Sequence, residues 1–196
     1  MRLGSLCSGY GGLEMGVSMV LDVQTVWVAD NSPASERILK HHYPDVPNLG
    51  DITTIDWARV EPVDIICAGF PCQDVSMSGS RTGLRKGTRT GIWVHVADAI
   101  ETLRPSLVIL ENVRGLLSAD ADCDMEPCPW CVGDTGAKSA VRALGAVLAD
   151  LARIGFDAEW SCVRAADIGT PHRRERVFIL AWPRATDTPG SRLARI

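Results

Sequence analysis

The chain has 196 residues, 46% apolar and 22% charged, with a formal net charge of −4, the make-up of one globular domain with a single substantial core. No apolar run reaches the roughly 18–20 residues of a membrane span, and Met1-Arg2 leads straight into a short strand-like stretch with no signal-peptide pattern, so a cytoplasmic protein is expected. The net charge decides nothing about nucleic acid, because a phosphate backbone reads local positive charge.

Leu3 to Cys7 reads as a first strand, ending in Ser8-Gly9-Tyr10-Gly11-Gly12. Leu13 to Leu21 comes next with helical spacing, its Leu13, Val17, Val20 and Leu21 on one face. Val23 to Val28 is a second strand, ending at Asp30-Asn31. Ser32 as N-cap and Pro33 as first helical residue open a helix to about His42, and Pro44 and Pro47 break the chain before Asn48-Leu49-Gly50-Asp51-Ile52. Val63 to Ala68 is apolar enough for a strand buried on both faces. The stretch from Gln73 to Thr90 is long, polar and rich in Gly, Ser, Thr and Arg, which suits a functional lid or a disordered segment. Helix resumes from about Gly91 to Leu103, and Leu107 to Leu110 is a strand ending in Glu111-Asn112. Ala140 to Ile154 is an Ala/Leu-rich helix, and Phe156 to Arg164 and Val177 to Trp182 are two closing strands. The alternation predicts an α/β fold with a mostly parallel, doubly wound sheet, whose ligands bind at the carboxyl ends of the strands. Six of the eleven aromatic residues are Trp, which composition alone does not explain.

The residues just past each strand are therefore informative. The glycine-rich Ser8-to-Gly12 turn permits close backbone approach to a ligand, though it matches neither the dinucleotide fingerprint nor a phosphate loop. A tight structural turn is an equal reading. Asp30 sits where a carboxylate commonly accepts hydrogen bonds from a ribose, or else it caps the next helix. Together the loop and the acid suggest an adenosine-containing cofactor. Cys72, beside Pro71 and after the buried strand, is either an inert thiol or a nucleophile activated by nearby positive charge. Glu111 falls on the same sheet edge, where a carboxyl can carry a proton. Arg174 and Arg176 lie before the last strand and share a side if alternation holds. Basic residues gather at Arg81, Arg85, Lys86 and Arg89 and again at Arg173, Arg174 and Arg176.

Taken in order, these segments resemble the cytosine-carbon-5 DNA methyltransferase family. Ser8 to Gly12 is similar to its first cofactor motif, and Ala68-Gly69-Phe70-Pro71-Cys72-Gln73 to its catalytic motif almost letter for letter. Glu111-Asn112-Val113 resembles the family's Glu-Asn-Val, and Arg174-Glu175-Arg176 its Arg-x-Arg. The resemblance runs from about Leu3 to Trp182. It implies a Rossmann-like, S-adenosylmethionine-dependent enzyme that adds a methyl group to carbon 5 of cytosine through a covalent Cys72 adduct, with Glu111, Arg174 and Arg176 supporting the ring. It also implies cofactor contacts near Cys7, Gly9, Tyr10, Gly11, Gly12, Asp30, Asn31, Asp51, Ile52, Gly69, Pro71 and Ile92. Duplex DNA would meet the 73–90 loop through Ser76, Ser78, Arg81, Arg85, Lys86 and Arg89.

Several positions depart from the family pattern. Cys7 replaces the usual aromatic, Asp30 the commoner Glu, and His172 the usual Gln. The catalytic domain is expected over 1–184, with an irregular tail over 185–196. The family's recognition domain and its final Asn-bearing helix have no counterpart before Ile196, so the expectation is either a second polypeptide supplying target recognition or a truncated or non-selective enzyme. A restriction-modification or phage enzyme fits this picture. The alternatives are a transfer RNA cytosine methyltransferase and a catalytically silent S-adenosylmethionine or DNA-binding module, though a silent module has no need of Cys72, Glu111 and Arg176 together.

The remaining cysteines divide by setting. Cys7, Cys67 and Cys162 lie in apolar, strand-like surroundings and read as small core residues. Cys123, Cys128 and Cys131 fall within an insertion at about 118–138; their spacing is zinc-like, with no fourth ligand evident beyond Asp120, Asp122, Asp124 or a His, and the alternative is a solvent-exposed loop with free thiols. If they bind zinc, metal analysis of protein purified without chelator gives a stoichiometry near one; a value near zero rejects the site.

Overall fold

A computed structural model describes residues 1–70, 91–117, 120–121 and 141–185. Its main sheet has six strands, β1 (Arg2–Leu6), β2 (Gln24–Ala29), β3 (Ile65–Gly69), β4 (Leu107–Val113), β7 (Phe156–Arg164) and β8 (Glu175–Pro183), in the order β2-β1-β3-β4-β8-β7. β1 pairs parallel with β2 and β3, and β3 parallel with β4; β8 runs antiparallel to both β4 and β7. A separate two-stranded ribbon joins β5 (Asp120–Ala121) to β6 (Val141–Arg142). The helices are α1 (Gly12–Ser18), α2 (Pro33–His42), α3 (Ile92–Leu103) and α4 (Ala143–Arg153). The mostly parallel α/β sheet expected from the sequence is present.

Two hydrophobic clusters cover the sheet. The larger gathers the inner faces of α3 and α4 with Leu6, Ile66, Leu110 and Ile179. The smaller holds Val17 of α1 against Leu3, Ile65, Cys67 and Ile109. Successive strand residues point to opposite faces, so β3 contributes Ile65 and Cys67 to one cluster and Ile66 and Ala68 to the other. Strands buried on both sides need a near-continuous apolar run, which is why these segments are legible in sequence.

Three of the tryptophans are structural. Trp27 of β2 lies with its ring centroid 5.9 Å from that of Trp57 and donates its indole N–H to the Glu61 carbonyl at 2.9 Å. Its ring occupies the place of a side chain at Gly4, where an added Cβ would collide with Cζ2. Trp93 of α3 packs 5.1 Å from Phe70 and donates to Asp150 Oδ2 at 2.9 Å, which ties α3 to α4. Trp27 and Trp93 thus bury their rings with the indole N–H satisfied.

Several boundaries differ from the sequence expectation. α1 stops at Ser18, three residues short of Leu21, because the chain tightens there: the N–H groups of Val20 and Leu21 both donate to the Val17 carbonyl. Val20 is consequently exposed, while Leu21 still packs on the smaller cluster. β4 extends to Val113 because β8 pairs alongside it as far as Val113 opposite Arg176, so Glu111 and Asn112 lie within the strand. α4 starts at Ala143, its expected first turn being partly taken by β6. Of the three expected core cysteines, Cys67 is fully buried, whereas Cys7 and Cys162 are only half-buried and pack at the edge of the larger cluster. Cys7 lies just past β1 in a left-handed conformation, φ 53°. The 73–90 loop, the cysteine cluster and residues 186–196 lie outside the described residues.

The Gly4 contact gives a direct test of this packing. Gly4→Ala forces a methyl into the Trp27 ring and lowers stability by about 1–3 kcal/mol, read as a reduced urea midpoint; an unchanged midpoint contradicts the packing.

Candidate active site

The carboxyl ends of β1, β2, β3 and β4 bring most of the described candidate residues to one edge. Past β1, the Cys7 N–H donates to the Ala29 carbonyl at 2.8 Å, and Gly9 and Gly11 take φ values of 59° and 86°, a region that glycine enters without strain. Gly9 donates its N–H to Asp30 Oδ2 at 2.9 Å, which joins the glycine loop to the acid after β2. The loop is crowded on one side: a Cβ on Gly11 would come within 2.9 Å of the Tyr43 ring, and one on Gly12 would collide with the Tyr10 ring. On the other side it is open: apart from its chain neighbours, none of the described residues comes within 4 Å of the Cβ position of Gly9. Tyr10 is exposed.

Asp30 is held from several directions. Its Oδ1 accepts from the Ser32 N–H at 2.9 Å. The Asn48 side chain clamps its backbone, accepting from the Asp30 N–H at 3.1 Å and donating to the Asp30 carbonyl at 3.0 Å. Beyond it, Asn31 donates to Asp51 Oδ2 at 3.1 Å, while the Thr53 N–H and hydroxyl donate to Asp51 Oδ1 at 2.9 and 2.8 Å. These donors, Thr53 foremost, hold the Asp51 carboxyl below the usual carboxylate range. Ile52 is buried in the larger cluster and Ile92, the first residue of α3, packs against it.

The second half of the edge lies on β3, β4 and β8. Gly69 is in register with Glu111, and a Cβ on Gly69 would sit 3.6 Å from Glu111 Oε2 and 3.7 Å from the Cys7 carbonyl oxygen. Only a small residue leaves that space open. Glu111 is opposite Phe178 and Arg176 opposite Val113, so Glu111 and Arg176 are diagonal neighbours on one face. Arg176 Nε meets Glu111 Oε1 at 2.6 Å, with both side chains about three-quarters buried. Arg174, by contrast, is exposed ahead of β8; its carbonyl accepts the Ala165 N–H at 2.7 Å.

Pro71 and Cys72, like Ser76, Ser78, Arg81, Arg85, Lys86 and Arg89, lie outside the described residues. What fixes the chain just before them is Asn112, which is buried and donates Nδ2–H to the Phe70 carbonyl at 2.8 Å. Its Oδ1 accepts from the Val113 N–H at 2.8 Å. Cys123, Cys128 and Cys131 are likewise outside, and among the described residues no group of three or more His, Cys, Asp or Glu side chains is placed to hold a metal.

Two contributors are not evident from sequence. Asn48 is legible there only as a loop residue, since its partner lies 18 positions away. Glu14, on α1, is 1% exposed and packs under the glycine loop against Ser5. The signal for it is a charged residue three positions before the core residue Val17, on the buried side of the helix.

The sheet order, the glycine loop joined to an acid after β2 and the polar pair on β4 and β8 define a Rossmann-like fold of the methyltransferase class. A crystal structure of mutant DNMT2 from Spodoptera frugiperda superposes with a TM-score of 0.64 at 18% identity, covering all of this chain and 54% of that one. Dnmt2 methyltransferase from S. pombe gives 0.65 at 15% identity, over 96% of this chain and 51% of that one. The chain belongs to the C-5 cytosine-specific DNA methylase family, whose pattern matches residues 1–189. It is 32% identical over 179 residues to the type II methyltransferase M.NlaIV of Neisseria lactamica, across 89% of this chain and 39% of that protein. With M1.ScrFI of Lactococcus lactis subsp. cremoris the identity is 28%, across 91% and 41%. The chain thus spans about two-fifths of the length of these relatives.

S-adenosylmethionine, the cofactor of this methyltransferase class, fits the residues present. The open side of Gly9 leaves room for a backbone-close ligand, and Asp30 keeps lone pairs free beyond the two backbone N–H groups it accepts.

Removal of the Asn112 amide tests the support at Phe70. Asn112→Ala leaves the Phe70 carbonyl without this donor, at a cost of about 1–3 kcal/mol, measurable by urea unfolding; a change under a few tenths would show that the bond is not needed.

Proposed function

We propose that this chain carries the catalytic half of a DNA cytosine-5 methyltransferase, with Cys72 as nucleophile. The observation that carries the reading is the Glu111–Arg176 pair on the same edge as Gly69 and Phe70, whose chain leads directly to Pro71-Cys72. The methyltransferase relatives, and the type II names they bear, support the same reading.

Carbon 5 of cytosine is a poor nucleophile. Attack of the Cys72 thiolate on carbon 6 forms a covalent adduct and makes carbon 5 electron-rich. Glu111 shares a proton with ring nitrogen 3 and so offsets the charge that gathers there, while Arg176 donates to the carbonyl oxygen of the base. Gly69 keeps the space beside Glu111 clear. Bound S-adenosylmethionine supplies an electrophilic methyl group. Loss of the carbon-5 proton then expels Cys72 and restores the ring. The base must first leave the duplex stack, at a cost of about a few kcal/mol, and the basic 73–90 loop meets the surrounding phosphates.

Cofactor contacts are assigned to Cys7, Gly9, Tyr10, Gly11, Gly12, Asp30, Asn31, Asp51, Ile52, Gly69, Pro71 and Ile92. Arg174 has a lesser part, since its exposed position ahead of β8 leaves the contact with Glu111 to Arg176. A second polypeptide supplying target recognition is the partner this reading carries, in keeping with a chain that spans about two-fifths of the length of its relatives. The catalytic unit spans 1–184, with 118–138 as an insertion and 185–196 as a tail.

Tritiated methyl transfer to duplex DNA, single-stranded DNA and transfer RNA tests the proposal, with the chain assayed alone and beside its recognition region. Incorporation into duplex DNA is expected, falling to background in Cys72→Ser and by about 10²-fold or more in Arg176→Ala. Incorporation only into transfer RNA would overturn the substrate. Cofactor binding without transfer to any acceptor would overturn the catalytic reading in favour of a silent binding module.

A further inference from the structure

Beneath the glycine loop lies a carboxyl group that the methylation chemistry does not use. Glu14 projects from the first turn of α1 into the body of the protein and is 1% exposed, as is Ser5 of β1. The Ser5 hydroxyl bonds Glu14 Oε1. The Ser8 hydroxyl is 2.9 Å from Ser5 Oγ and 3.2 Å from the Ser5 carbonyl oxygen. Ser8 in turn opens the glycine loop, its carbonyl accepting the Gly11 N–H at 2.9 Å. A continuous chain of polar contacts therefore runs from Glu14 through Ser5 and Ser8 into the turn. The other oxygen, Oε2, is buried with no hydrogen-bond partner among the described residues.

An ionised carboxylate in that position would bury a charge with one oxygen unsatisfied, which is costly. A neutral carboxyl fits the same place at far lower cost. Its surroundings agree. Burial pushes the Glu14 carboxyl up to about 7, and the negative charge of Asp30 adds to this, against partial relief from its own backbone and the Ser8 hydroxyl. The titratable groups facing it are Asp30 after β2, Tyr43 after α2 and Cys67 on β3. Burial raises Tyr43 and Cys67 first, and Glu14 raises both further.

We propose that Glu14 is a positioning residue for the cofactor loop: its neutral carboxyl, acting through Ser5 and Ser8, holds the Ser8–Gly12 turn in the form that receives S-adenosylmethionine, and ionisation of Glu14 weakens that binding. The proposal rests on the proposed methyltransferase function and adds a control over it that involves no contact between Glu14 and the cofactor. The sign comes from linkage. The folded chain holds this proton more tightly than the unfolded chain, so the stability it contributes is complete below the ordinary carboxyl range and is lost as pH rises through about 7.

Calorimetric titration with S-adenosylmethionine from pH 6 to 8.5 tests it, alongside thermal unfolding over the same range without cofactor. In the wild type, Kd rises up to about tenfold per pH unit above the midpoint, and the unfolding temperature falls as pH rises to about 7 and then levels. In Glu14→Gln, which is neutral at every pH, both curves flatten. Ser5→Ala, which keeps the carboxyl but breaks the relay, weakens binding even at pH 6. Parallel pH curves for wild type and Glu14→Gln overturn this proposal alone, as does unchanged low-pH affinity in Ser5→Ala. No cofactor binding by the wild type at any pH overturns the function reading and this one with it, whatever the unfolding curves show.

Discussion

The antiparallel pairing of β8 with β4 is the constraint on which the candidate site depends. A parallel neighbour would bring the far end of its strand to this edge. Running the other way, β8 delivers its first residues there, and Arg176 lands diagonally across from Glu111. The same pairing carries β4 three residues beyond the buried apolar stretch. Asn112 thereby comes within reach of Phe70, and the polar end of β4 becomes part of a rigid ladder. Catalytic groups placed on strands are held more tightly than groups on loops. The candidate pair Glu111 and Arg176 are strand residues, and Asn112 anchors the chain at Phe70.

The other half of the edge is built differently. Glycine loop, Asp30 and Asp51 are loop elements, and their order comes from side chains that bond to backbone. Asp30 accepts from Gly9 and Ser32, Asn48 clamps the Asp30 backbone, and Thr53 and Asn31 satisfy Asp51. Charge-assisted bonds to backbone N–H groups are among the stronger ones available to a protein. This half of the edge is thus a network of short polar links over an apolar floor, and Glu14 lies where that network meets the floor.

Much of this is legible in the amino-acid sequence because burial leaves a mark. β3 and β4 are largely apolar since both faces are covered, and α2 carries its cap and proline at the expected places. The short motifs Gly-Phe-Pro-Cys-Gln and Glu-Asn-Val are equally plain. What is not legible depends on partners distant in the chain. The end of β4 is set by β8, some 65 residues on, so apolar patterning places it three residues early. Asn48 and Glu14 look like ordinary loop and helix polar residues until Asp30 and Ser5 are brought beside them. Arg174 and Arg176 are equivalent by alternation, yet only Arg176 falls within the paired strand.

The Asn48 clamp also changes what α2 is for. Asp30 and Asn48 are fastened to one another through two hydrogen bonds, and Val28 bonds to the chain on either side of Asn48. The segment between them, α2 and the two prolines after it, is therefore a closed bight tied at its neck. Its outer surface is largely exposed, with Leu39 its one fully buried helix residue. Such a bight can lengthen, shorten or acquire new surface without moving the carboxylate at its base. It is a place where one lineage of this chain could diverge from another in shape while keeping the same pocket.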